Sequence, residues 1–161
     1  IAYSHAPRLD RHPVGATAGY PTGIALAVIG GHYVQSGRVT PIAVGFAGVF
    51  LVLLSGVKII DDAQDFSYDR SIGKRTVAVV VGRGTARRLA AALMGLALAA
   101  VLTAAGAGLF PRGTALAVPV FGVIAVLAHR SEPELATKLL VRGSYLFLAI
   151  LVGAVWFRPL T

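Results

Sequence analysis

Five apolar runs, at residues 14–34, 41–60, 89–110, 114–128 and 139–157, follow one another with only short charged or Gly/Pro-containing connections between them. A helix needs about 20 predominantly apolar residues to cross the hydrocarbon core of a bilayer, and most of these runs come close to that length. Five such runs in 161 residues leave nothing from which to build a wetted exterior. The expected class is therefore an all-α integral membrane protein with five transmembrane helices. Composition agrees: 14% of residues are charged, against about 25% in soluble domains, and mean hydropathy is +0.75. The fourth run is short and contains Pro119, which predicts a kinked helix. Gly45, Gly48, Ala90, Ala91 and Ala92 supply the small side chains that let helices approach closely in lipid.

Cysteine is absent, so disulfides, thiolate metal sites and cysteine nucleophiles are excluded. His5, His12, His32 and His129 lack the H-x-x-x-H spacing of a zinc site. The net charge of +8 would suggest a nucleic-acid binder in a soluble protein, but a membrane chain uses basic loops to set its orientation. Arg8, Arg11, Lys58, Arg70, Lys74, Arg75, Arg83, Arg87, Arg88, Arg130, Lys138 and Arg142 fall on one side of a five-span topology. Only Arg38, Arg112 and Arg158 fall on the other. The first side is expected to be cytoplasmic, with the C-terminus opposite, in the cell membrane; no nucleic-acid partner is expected.

All seven acidic residues share that side, and four of them crowd into Asp61-Asp62-Ala63-Gln64-Asp65-Phe66-Ser67-Tyr68-Asp69. If the second run continues as a helix past residue 60, Asp62, Asp65 and Asp69 fall within about 60° of arc, with Asp61 about 100° from Asp62. Like charges so placed repel unless a cation lies between them. Mg²⁺ prefers oxygen ligands and takes one or two protein carboxylates together with water and substrate phosphate oxygens. Arg70, Lys74 and Arg75 follow at once and offer phosphate partners. The cluster therefore reads as a metal–diphosphate site; the plainer alternative is a solvated acidic loop among juxtamembrane cations. Gly82-Arg83-Gly84, with no preceding strand, reads as a helix start.

The stretch from Asp61 to Gly82 resembles the second aspartate-rich motif of the UbiA family of intramembrane prenyltransferases, N/D-D-x-x-D-x-x-x-D-R-x-x-G-x-x-T-L-x-V-x-x-G. Asp62, Asp65, Asp69, Arg70, Gly73, Thr76, Val79 and Gly82 match, and Val77 replaces the usual Leu. Tyr3-Ser4-His5-Ala6-Pro7-Arg8-Leu9-Asp10-Arg11 resembles a cytoplasmic-side loop of that family, Y-S-x-P-P-x-R-L-K-R, with Asp10 where Lys is common. The resemblance implies a nine-helix fold of which these are helices 5–9, an Mg²⁺ cofactor, and transfer of an isoprenyl group from a polyprenyl diphosphate to a lipophilic acceptor with release of diphosphate. It implies Asp62, Asp65 and Asp69 as metal ligands, and Arg8, Arg70, Lys74 and Arg75 as diphosphate-binding residues. Asp65 and Tyr3 carry the catalytic roles, although Tyr3 taken alone serves equally well as an interfacial aromatic. Membrane lipid is the surrounding partner, and no obligate protein partner is implied.

The family's first aspartate-rich motif is absent and the chain opens on Ile1. Residues 1–161 are thus expected to be the C-terminal part of one UbiA-type domain, inactive alone. The motif's ending resembles the menaquinone and archaeal-lipid branches of the family. The rival from another class is a transporter fragment with a cation-handling loop. Transporters place ionisable groups near the bilayer midplane, whereas residues 41–57 contain none.

Overall fold

The computed structural model describes residues 12–157. In chain order these form α1 (Pro13–Ser36), α2 (Pro41–Gln64), α3 (Phe66–Ser71), α4 (Val77–Val81), α5 (Arg83–Gly106), a 3-10 helix (Arg112–Leu116), α6 (Ala117–His129) and α7 (Pro133–Phe157), with no strand among the described residues. Five segments are long and apolar enough to cross a membrane: α1, α2, α5, the 3-10 helix together with α6, and α7. The architecture is all-α, as the five apolar runs require.

Helix ends follow from local chemistry. Proline opens α1, α2 and α7, where its missing N–H is one the first turn leaves unpaired in any case. The Thr40 hydroxyl caps α2 by accepting the Ala43 N–H at 3.3 Å. α5 starts at Arg83, six residues before its apolar run, because Arg87 and Arg88 are good helix formers that carry the helix beyond the apolar stretch. The proline expected inside the fourth helix, Pro119, stands instead near the start of α6. A 3-10 turn precedes it and places Pro119 in the first turn of α6, where no i→i−4 bond is lost. The proline that does sit inside a helix is Pro21 in α1, which leaves the Thr17 carbonyl without its helical donor.

α2 is the central helix, packed against α1, α5 and α7 and, at its acidic end, against α3 and α4. Its Phe46, Phe50 and Leu53 join Val101 of α5, Phe121 of α6, and Phe147 and Leu151 of α7 in one buried cluster. Two edge-to-face ring pairs knit it, Phe46–Phe110 at 4.6 Å and Phe121–Phe147 at 5.7 Å. The outer faces carry Leu26, Val34, Val123, Val152 and Trp156, all exposed.

Small residues set the helix spacing, though not all of those expected to do so. A Cβ on Gly45 would lie 2.7 Å from the Phe110 ring. One on Gly56 would lie 2.9 Å from the Ala90 carbonyl oxygen, and one on Gly143 would lie 2.8 Å from Ile124. Gly48 meets nothing within 4 Å, and Ala91 and Ala92 face outward while Ala90 is fully buried. Three adjacent alanines point in three directions around a helix, so only one of them can face α2.

Candidate functional site

α2 does run past residue 60, ending at Gln64, and Asp65 joins it to α3 without a full reversal. Backbone bonds bridge the junction, from Asp65 N–H to the Asp61 carbonyl at 3.2 Å and from Asp69 N–H to the Asp65 carbonyl at 2.8 Å. α3 then closes in a Schellman turn, with Gly73 N–H on the Arg70 carbonyl at 3.3 Å and Lys74 N–H on the Asp69 carbonyl at 2.9 Å. Gly73 occupies the left-handed position of that turn, at φ 71°. The reversal brings Lys74 back over α3, and its ammonium meets both carboxylate oxygens of Asp69, at 3.1 and 3.2 Å. Thr76 caps α4 by accepting the Val79 N–H at 3.3 Å, and Gly82, at φ 85°, ends α4 and begins α5. The glycines and the threonine of the motif are thus turn and cap residues that fold Lys74 onto the acidic segment.

A second lysine completes the arrangement from below. Lys58, one turn before the acids on α2, places Nζ 2.7 Å from Asp61 Oδ2 and 2.9 Å from Asp62 Oδ1. Lys74 Nζ lies 4.0 Å from that same Asp62 oxygen. The order Asp61, Lys58, Asp62, Lys74, Asp69 is a ladder of alternating charge, in which Asp62 and Asp69 are almost wholly buried. The other oxygen of Asp62, Oδ2, accepts the Thr17 hydroxyl of α1 at 3.1 Å, and Thr17 Oγ1 in turn accepts the Val77 N–H of α4 at 3.3 Å. One hydroxyl therefore ties three helices together at the charged end. Asp62 Oδ1 is buried and receives no directed hydrogen bond, although Lys58 is within ion-pair range.

The ladder leaves a charge surplus. Four carboxylates, Asp61, Asp62, Asp65 and Asp69, stand with two lysines, Lys58 and Lys74, a formal surplus of two acids, and among the described residues only Asp65 of the four has no contacting cation. The surplus lies at the accessible side of the segment, since Asp65 is exposed and Asp61 is 39% exposed, whereas the buried Asp62 and Asp69 are both paired.

The expected residues are distributed unequally. Asp62 and Asp69 meet through Lys74, whereas Asp65, at the α2–α3 junction, is exposed and forms no ion pair among the described residues. The three carboxylates therefore do not line one face as a continuous helix would have them, because the register breaks at Asp65 itself. No group of three or more His, Asp or Glu side chains spaced to hold a metal occurs among the described residues. Arg70 and Arg75 are exposed at the same end. Tyr3 and Arg8 lie outside the described residues. Arg83 anchors α3, donating to Ser67 Oγ at 3.0 Å with its guanidinium 5.0 Å over the Phe66 ring. Lys58 and Thr17 were missed from sequence. Lys58 carried a usable signal, its i+3 and i+4 spacing to Asp61 and Asp62, while nothing local connects Thr17 to a carboxylate 45 residues away.

The model of the UbiA prenyltransferase family matches residues 1–151. The chain belongs to the UbiA family. Its five apolar helices are accordingly those of an integral membrane protein, and the ladder of lysines and aspartates lies on the aspartate-rich segment of a prenyltransferase-type fold. No curated protein and no solved structure matches the chain.

Proposed function

We propose that this UbiA-family protein transfers an isoprenyl group from a polyprenyl diphosphate to a lipophilic acceptor, an aromatic or lipid molecule, in an Mg²⁺-dependent reaction that releases diphosphate. The observation that carries this reading is the surplus of two carboxylates over contacting lysines at the charged end of α2, beside an otherwise apolar helix bundle.

The donor set suits a hard divalent ion. Asp62, Asp65 and Asp69 would offer it carboxylate oxygens, although they are not gathered into one group: Asp62 Oδ1 is buried without a directed hydrogen bond, and Asp65 is an exposed carboxylate open to a phosphate-bound ion. When bound, Mg²⁺ supplies positive charge to the leaving diphosphate. Lys74, already held between Asp62 and Asp69, presents an ammonium to a phosphate oxygen, and Arg70 and Arg75 extend the cationic surface. By the resemblance of their segment to the family's loop, Arg8 would serve as a further diphosphate partner and Tyr3 would steady positive charge on the reacting allylic carbon. Apolar helices exclude water from the chain that carries that charge. The aspartate-rich segment faces the cytoplasm, following the distribution of Lys and Arg.

A transporter reading fits less well, because the ionisable ladder sits in the last turns of α2 and in α3, not at mid-helix. The test is product analysis. Full-length protein in proteoliposomes, given Mg²⁺, geranylgeranyl diphosphate and a panel of phenolic and glycerol-type acceptors, is expected to yield one acceptor heavier by the prenyl group, with one equivalent of diphosphate. Intact substrates after prolonged incubation would reject the assignment.

A further inference from the structure

At the end of the bundle opposite the charge ladder, the first half of α2 and the second half of α5 enclose a groove of about 400 Å³. Gly45, Gly48 and Val52 recur on α2, and Ala97, Ala100 and Ala104 on α5, at the three- and four-residue intervals that keep side chains on one face, so the floor is made mostly of small groups. Gly48 is exposed, and a Cβ added there would meet nothing within 4 Å, which leaves the groove open. The chain after α5 supplies its end wall. Gly108 turns that chain at φ 74°, the N–H groups of Leu109 and Phe110 both donate to the Ala104 carbonyl, at 2.9 and 3.0 Å, and the Phe110 ring comes down on Gly45. Arg112 follows two residues later, no more than about 7 Å along the chain from that wall. Its backbone is held from both sides, because the buried Thr114 donates to the Pro111 carbonyl through its N–H at 2.9 Å and through its hydroxyl at 2.7 Å. The Arg112 side chain itself is exposed, and no carboxylate among the described residues can neutralise it. Their Asp and Glu side chains all stand at the ladder end, between Asp61 and Asp69 and at Glu132 and Glu134 around the start of α7, and so do their ion pairs. Arg38, in the turn before α2, adds a second positive charge to the acid-free end.

We propose that this groove is a binding site for an anionic phospholipid, with one acyl chain lying along α2 and α5 from Phe110 to Val52 and the phosphate pairing with the Arg112 guanidinium. The site goes beyond the proposed reaction and does not depend on it. The groove is lined by hydrocarbon and lies on helices long and apolar enough to cross a membrane, so its occupant is apolar along the groove. It runs inward from the end that carries Arg112, which is how a lipid lies, its phosphate at the interface and its chain toward the bilayer interior. Gly45 to Val52 spans seven residues, or about 10 Å at the helical rise, and the volume falls in the range of small-ligand sites, about 300–1,000 Å³. A guanidinium matches phosphate oxygens bidentately, and an arginine with no acid at its own end of the protein has its charge free for a lipid. A second copy of the chain, lying parallel in the same membrane, would bring the same two arginines to this end and no carboxylate to meet them, a like-charge contact that opposes pairing.

The experiment is native mass spectrometry of full-length protein in detergent, titrated with palmitoyl-oleoyl phosphatidylglycerol and, separately, with palmitoyl-oleoyl glycerol, which carries the same chains without the phosphate. Wild type is expected to bind the first phosphatidylglycerol molecule at least about tenfold more tightly than the diacylglycerol. Arg112→Gln should erase that difference, and Arg112→Lys should keep part of it. Gly48→Leu, which places a side chain in the open groove, should weaken phosphatidylglycerol binding about tenfold. Circular dichroism identifies any variant that has failed to fold, and the comparison of the two lipids on wild type needs no variant. Equal binding of the two lipids by wild type overturns the site. So does phosphatidylglycerol binding unchanged in both Arg112→Gln and Gly48→Leu, the result expected if another part of the full-length chain covers the groove. Displacement of the lipid by equimolar glycerol phosphate would assign Arg112 to a soluble anion, and a dimer lost in Gly48→Leu would assign the groove to a second copy; either result also overturns the proposal.

Discussion

Thr17 shows how much a single hydroxyl can carry when its partners come from three helices. It donates to a buried carboxylate and accepts a backbone N–H from the start of α4, so its loss strands both groups at once. Thr17→Val keeps the shape and removes the hydroxyl. The expected cost is about 1–3 kcal/mol, seen as a lowered unfolding temperature in detergent, with Thr17→Ser close to wild type. An unchanged midpoint in Thr17→Val would mean that the tie to Asp62 adds nothing. The lysines belong to the same scale. Lys58 and Lys74 keep Asp62 and Asp69 ionically paired while buried, an arrangement in which removing either partner is more damaging than the net worth of the pair.

Among the elements, α2 organises the molecule, and its glycines decide how close its neighbours come. Gly56 touches the backbone of α5 through the Ala90 carbonyl, whereas Gly48 faces open space. Gly56→Val should therefore destabilise by about 1–3 kcal/mol and Gly48→Val by no more than about 0.5, measured side by side as thermal midpoints. Equal shifts would show that helix propensity, and not spacing, governs these positions. The helices themselves were legible in the residues, since apolar runs of bilayer length leave little choice. Their ends were less so, because Arg87 and Arg88 extend α5 and the 3-10 turn at Arg112–Leu116 rescues Pro119, both by local geometry that hydropathy does not encode. The acidic segment was legible as a cluster, but its three-carboxylate face was not realised. That face assumed unbroken helical register, and the break falls on Asp65. Thr17 was invisible for a different reason, since its meaning depends on how α1 packs on α2 and on α4.

At the scale of the whole molecule, charge and apolar surface are separated along the bundle. One end of α2 gathers carboxylates and lysines, with α3 and α4 folded over it, and the exposed apolar side chains of α1, α5, α6 and α7 face lipid. The proposed reactant, with its charged diphosphate head and hydrocarbon tail, matches that division. The most direct test compares Mg²⁺-dependent diphosphate release from geranylgeranyl diphosphate, with acceptor present, by full-length wild type, Asp65→Ala and Asp69→Ala. Wild type is expected to release diphosphate only with Mg²⁺, stopping when EDTA is added, and each variant is expected to fall by about a hundredfold or more. Release that survives EDTA, or turnover undiminished in both variants, would contradict the proposed role of the aspartate segment.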